Sequence, residues 1–144
     1  MDGVKTRLRV LRVGNRRCAW TATICHVQGE SDCHRGIRLR VWGSGKNSRA
    51  LQVDLLSKTP SGPWGACATD GTYPTSRDVR AVVEYALVHG WEADEVGGMF
   101  LMTESEHAAA FELPDFLITD RVRDSDAPDP SARVLGLPRG EPAR

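Results

Sequence analysis

Four stretches with an apolar residue at every second position, followed by one stretch with a helical period, constrain this chain more than any other feature. Residues 5–13 alternate charged and apolar side chains as a half-buried strand does, and Gly14-Asn15 marks a turn. Residues 18–27 are rich in β-branched and aromatic side chains and read as a second strand, with Trp20, Ala22 and Ile24 on one face. Gln28 to Gly36 is polar and reads as a loop. The next stretch, 37–42, places Ile37, Leu39 and Val41 inward and Arg38, Arg40 and Trp42 outward. A Gly-rich connection, Gly43 to Asn47, leads to residues 49–56, which bury Leu51, Val53 and Leu55 and expose Gln52 and Asp54. Connections this short predict an antiparallel meander of four strands.

Residues 57–74 hold three prolines and three glycines without periodicity, and a connection this long inside a small domain is often functional. Beyond it, Val79, Val82, Val83, Ala86 and Leu87 fall on one helical face. Thr75 and Asp78 form a capping arrangement at its start, Gly90 suits a left-handed stop, and Trp91 is placed to fold back on that end. Met99 to Met102 reads as a fifth strand. Residues 104–112, capped by Thr103 with Glu106 and stopped by Pro114, read as a short helix, and Phe116 to Ile118 as a last edge strand. From Arg123 the apolar pattern is lost and four prolines appear, which predicts a disordered Pro-rich tail over 123–144. The predicted class is α+β, in one domain over 1–122. Its core should hold Trp20, Ile24, Leu39, Val41, Leu51, Val53, Val79, Val83, Leu87 and Phe100.

At 144 residues the chain is the size of one domain with one core. The longest apolar run is too short to cross a bilayer, and Met1 to Lys5 has no apolar core behind its charges. A cytoplasmic protein without membrane contact is the expectation. Four cysteines (Cys18, Cys25, Cys33, Cys67) are then expected as thiols or metal ligands rather than disulfides. Net charge is zero, yet residues 1–60 carry twelve Lys/Arg against four Asp/Glu, and residues 61–144 seven against fifteen. Such a split predicts either an electrostatic partner for each half or two halves that neutralise each other.

Four sets of residues carry candidate chemistry. Cys25-His26 and Cys33-His34 repeat a thiol–imidazole pair, the ligand types zinc prefers. Adjacent residues on a strand point to opposite faces, however, and the spacing is not that of a Cys-x-x-Cys knuckle, so no metal or other cofactor is predicted. Cys67 lies among small residues in the long loop, where His89 or His107 can be imagined as its base; the plainer reading is a thiol packed under that loop. Arg7 and Arg9 on the first strand, with Arg38, Arg40 and Trp42 on the third, combine guanidinium groups with an aromatic, as surfaces that track phosphates and stack bases do. Those arginines can equally be covered by Glu104, Glu106, Glu112 and Asp115. Finally, Trp64 stands on the turn-rich segment Ser61 to Gly65, and Trp and Arg are the residues that anchor protein interfaces, unless Trp64 closes over the core. Gly43 to Asn47 lacks the full phosphate-loop pattern and joins two strands rather than opening a helix.

The run from Leu51 to Thr119 contains Trp64-Gly65, Tyr73-Pro74-Thr75, Ala81 to Leu87, Gly90-Trp91, Gly97-Gly98-Met99-Phe100 and Leu113-Pro114-Asp115-Phe116. It resembles a family of small actinobacterial proteins with no assigned activity. The resemblance covers about half of the chain, implies the same domain organisation and carries over no catalytic residue; the Cys-His pairs lie outside it. On the residues themselves, the leading expectation is a non-enzymatic recognition or regulatory module acting through protein contacts. Nucleic-acid binding across Arg7, Arg9, Arg38, Arg40 and Trp42 comes second, and a cysteine-dependent enzyme at Cys67 third.

Overall fold

In the computed structural model, residues 8–28, 33–58 and 71–128 are described. Gly14-Asn15 joins β1 (Arg9–Val13) to β2 (Arg16–Gln28), and Gly14 takes the left-handed φ of 61° that such a two-residue turn needs at its first central position. β3 (Cys33–Trp42) and β4 (Ala50–Ser57) complete the antiparallel meander. Then come α1 (Ser76–Val88), β5 (Met99–Met102), the one-turn helix α2 (Glu104–His107) and β6 (Phe116–Ile118). The α+β class and the order of elements are those predicted.

The six strands form one mixed sheet in the order β1-β2-β3-β4-β5, with β6 also paired to β4. β5 runs parallel to β4 at Ala50 to Val53, as a connection through a helix allows, and β6 runs antiparallel at Leu55 to Ser57. β4 therefore has neighbours along its length, and all eight of its residues are buried. This corrects the expectation that Gln52 and Asp54 face solvent. Both are buried and paired: Arg40 Nε donates to Gln52 Oε1 at 2.8 Å, and Arg123 Nε to Asp54 Oδ2 at 3.2 Å.

The described residues divide into two compact units interleaved along the chain. The first comprises 8–23, 38–53 and 73–102. Here α1 lies against β1 and buries Val79, Val82, Val83 and Ala86, while Leu11, Trp20, Leu39, Val41, Leu51 and Val53 are buried from the strands. Its start is the predicted capping box: Asp78 N donates to Thr75 Oγ1 at 3.2 Å and Thr75 N to Asp78 Oδ2 at 2.9 Å. At its end Gly90 has φ 115°, and buried Trp91 returns its N–H to Ala86 O at 2.9 Å, closing the last turn. Leu87, expected in the core, is exposed at the rim of the apolar stripe, and Phe100 is only half-buried on β5, the edge of the sheet.

The second unit comprises 24–28, 33–37, 54–58, 71–72 and 103–128. Val27, Leu56 and Leu117 cluster with Val122 against them, and Leu55, Phe116 and Ile118 are fully buried. α2 is one turn, shorter than the predicted 104–112. Thr103 Oγ1 caps it by accepting from Glu106 N at 3.3 Å, and Glu104 exchanges two hydrogen bonds with Asp120, at 2.8 and 3.0 Å. Propensity in the following alanines does not extend so short a helix, since helical stability in proteins comes mainly from packing. Arg123 to Ala127, placed by sequence in a disordered tail, hold defined contacts: Arg123 binds Asp54 and Asp120, and buried Ala127 accepts from Arg121 Nη1 at 2.9 Å. Residues 129–144 lie outside the described residues.

Burial does not keep one alternation along the long strands. In β2, Cys18, Trp20 and Ala22 are buried, but Ile24 is 47% exposed and the next buried residue is Val27. In β3, His34 and Gly36 are buried before the opposite parity takes over at Ile37, Leu39 and Val41. Successive side chains point to opposite faces, so the covered side of each strand changes along its length. Two corrections follow. Ile24 is outside the core, and the polar stretch Gln28 to Gly36 is not a loop throughout but includes the end of β2 and the start of β3. At Gly36 a Cβ would fall 2.7 Å from Val27 Cγ2, so glycine is what admits that stiff side chain. Among the described residues, no helix is long and apolar enough to cross a membrane.

Candidate functional site

Three of the predicted site residues, Arg7, Trp64 and Cys67, lie outside the described residues. The two Cys-His pairs do not, and the strands split each of them. Cys33 Sγ and His26 Nδ1 meet at 3.6 Å. By alternation Cys25 and His34 stand on the opposite side, where Cys25 Sγ lies 3.0 Å from the position a Cβ on Gly36 would take. Among the described residues, no three potential ligands come together for a metal ion. Cys18 is buried, and that burial pushes its thiol above the ordinary range, which keeps it protonated and unreactive.

The predicted basic face is rearranged. Arg9 has the parity of buried Leu11 and Val13 and stands opposite Trp20 in the β1–β2 register. Its guanidinium carbon lies 5.6 Å from the Trp20 ring and 5.9 Å from the Tyr73 ring, so Arg9, although exposed, lies against aromatic rings on the side that Leu11 and Val13 share. Arg38, Arg40 and Trp42 alternate with buried Ile37, Leu39 and Val41 and stand on the other side. There they are joined by Val10 and Arg12 of β1, which face Ala19 and Arg17 of β2. A depression of about 110 Å³ that includes Val10, Ala19 and Trp42 among its lining residues ties β3 to the β1–β2 hairpin on this side. The face thus loses Arg9 and gains Arg12 and Arg17. That exchange was readable in principle, because a two-residue turn at Gly14-Asn15 sets Arg12 directly opposite Arg17.

In such a hairpin the pair next to the turn, Val13 and Arg16, exchanges main-chain hydrogen bonds, and the next pair does not. Arg12 O accordingly points away from β2 and accepts from Arg80 Nη1 at 2.8 Å. The Arg12 and Arg17 side chains then start about 4.5–5.5 Å apart at Cβ, an unfavourable placement for two like charges. Most neighbouring cations have found partners. Arg16 takes Asp94, Arg49 takes Glu92 at 2.7 Å, Lys58 takes Glu112 and Arg40 takes Gln52, so the basic first half is partly neutralised by the acidic second. Among the expected covering acids, Glu112 goes to Lys58 and Glu104 to the Asp120 backbone. Arg12 and Arg17, both exposed, have no ion-pair partner among the described residues. The positions that share their side on β1–β4 of the first unit include no Asp or Glu.

Arg17 also lines a second, more open depression of about 550 Å³ at the turn end, with Val13, Asn15, Arg16 and Gly43. Arg16 is fixed there. Its Nη1 and Nη2 donate to the two Asp94 carboxylate oxygens at 2.8 and 3.2 Å, its Nη1 also to Gly43 O at 3.1 Å, and Ser44 Oγ donates to the same carboxylate. These hydrogen bonds, Arg16 first and Ser44 next, hold Asp94 down to about 2 from an ordinary 3.8. A carboxyl lowered in the folded state adds stability above its ordinary value and loses it as pH falls from there towards 2. A carbon-13 NMR titration should place the Asp94 midpoint near 2, and Arg16→Gln should raise it towards the ordinary 3.8, with the Ser44 hydrogen bond still holding it below. An unchanged midpoint in the variant would show that Arg16 is not what holds it. Compared with family models, curated proteins and solved structures, the chain matches none.

Proposed function

We propose that the protein is a non-enzymatic recognition module that binds nucleic acid through the arginine-bearing side of β1–β3. One observation carries the reading: Arg12 and Arg17 are direct cross-strand neighbours with no carboxylate partner among the described residues, on a side that offers Trp42 as well. Two opposed guanidinium groups repel until an anion lies between them, and a phosphate oxygen set matches their donors. Binding labelled oligonucleotides at low salt should give an affinity whose logarithm falls with that of salt, at a slope of about −2 for two or three phosphates. Arg17→Glu, at an exposed position, should weaken binding roughly tenfold and reduce the slope by about 1. Wild-type protein that ignores oligonucleotides at low salt, or Arg17→Glu protein that binds as well as wild type, would defeat the proposal. The protein-contact reading keeps one observation of its own: Val10 is 52% exposed beside Trp42, and an exposed aliphatic flanked by Trp and Arg is how interfaces are anchored. An acidic peptide that binds where oligonucleotides do not would move it to first place.

A further inference from the structure

We infer that the nucleic acid is single-stranded, with one base seated against Trp42 and the adjoining phosphates held at Arg12 and Arg17; this rests on the proposed nucleic-acid reading. The two depressions of the first unit meet at Arg17. One is small and more apolar in its lining, with Val10, Ala19 and Trp42 in its wall, and the other is wide and of mixed character, with Asn15 and Arg16 beside Val13 and Gly43. A hydrophobic seat beside an exposed cation suits a chain in which flat apolar rings alternate with charged linkages.

The small depression, at about 110 Å³, has the room of a few water molecules. It admits the edge of one planar ring against the indole, and it is too small for a duplex groove or a folded peptide element. Trp42 is itself half-buried, so a base must leave its own stack to reach it. In a duplex the bases are stacked and paired and only the phosphates meet a flat sheet; in a single strand every base has a free π-face. Arg40 is already engaged with Gln52, whereas Arg12 and Arg17 are exposed cations on the same side as the seat.

The test measures the anisotropy of three labelled probes on wild-type protein: a short oligothymidylate, a duplex of the same length, and an abasic strand with the same phosphates. Oligothymidylate should bind about tenfold more tightly than the abasic strand, the increment of one stacked base, and more tightly than the duplex. Trp42→Ala should lose about that factor with the salt slope unchanged, and Trp42→Phe should keep most of it. Since the probe comparison uses wild-type protein, a Trp42 variant that misfolds does not decide the matter. Equal binding of all three probes would overturn the single-strand inference and leave a phosphate-binding surface standing. Binding of none, with capture of a polyglutamate peptide instead, would overturn both this inference and the reading beneath it.

Discussion

Phe116→Ala should destabilise the protein by about 3–5 kcal/mol, as truncation of a large buried aromatic does. Phe116 is fully buried on a strand of only three residues, all of them buried. β6 holds its place by pairing with Leu55 to Ser57 of β4, by the Thr119 N–H that donates to Asp54 O at 3.0 Å, and by the Lys58 N–H that donates to Asp115 O at 2.9 Å. Those main-chain bonds survive the substitution, but a three-residue strand has little else to hold it once its largest apolar contact is gone. Against a typical total of about 5–15 kcal/mol, the loss is about a fifth of the stability or more. Urea unfolding should show the midpoint falling steeply for Phe116→Ala and by about 1.5 kcal/mol or less for Phe116→Leu, which nearly conserves volume. Equal small shifts in both would mean that β6 is peripheral to the fold.

That strand also marks where the sequence was legible and where it was not. Features written in a few adjacent residues were read correctly: the Gly14 turn, the Thr75–Asp78 box, the Gly90 stop and the existence of β6 itself. Each depends on local geometry alone. Features that depend on a neighbour distant in sequence were missed. Gln52 and Asp54 occupy outward positions by parity, but Gln52 is buried with Arg40 against it, and Asp54 with Arg123, which arrives from nearly seventy residues away. Ile24 was misplaced for a related reason, since a single alternation read along β2 cannot show that the covered side changes partway, and His34 was missed because its polar neighbours read as a loop where β3 has already begun.

The candidate site was half legible. Arg38, Arg40 and Trp42 were placed together from one strand's alternation, and they do share a side. Arg9 was assigned by the charge of its strand, whereas its register against Trp20 puts it beside aromatic rings on the other side of the sheet, where it is still exposed. The residues that give the face its unpaired charge, Arg12 and Arg17, went unread because each lies beside a residue with an evident role. Only pairing the strands through the Gly14-Asn15 turn brings them opposite each other. Trp64 and Cys67, on which the protein-contact and enzyme expectations rested, are outside the described residues.

The second large effect concerns the buried carboxylate that the alternation placed in solvent. Asp54 is 1% exposed and receives Arg123 Nε at 3.2 Å, while the same guanidinium reaches Asp120. Removing a partner from a buried charge leaves its desolvation uncompensated, so Arg123→Ala should cost about 2–4 kcal/mol. Asp54 keeps other interactions, which places the effect below that of a fully stranded ion. Arg123 is on the half-exposed side of the pair and can turn to water or to Asp120, so deleting Asp54 strands nothing. A double variant, Asp54→Leu with Arg123→Met, replaces the pair with apolar groups of similar size. It should therefore be more stable than Arg123→Ala alone, within about 1–2 kcal/mol of wild type. Chemical unfolding of the three proteins checks this directly. Rescue by the double variant would show that Arg123 serves to neutralise Asp54 and not to pack the second unit, while a double variant no more stable than Arg123→Ala would show the reverse. It would also explain why residues from Arg123 onward, polar and proline-rich in sequence, hold defined contacts as far as Ala127: their anchor is a charge buried in β4, nearly seventy residues earlier in the chain.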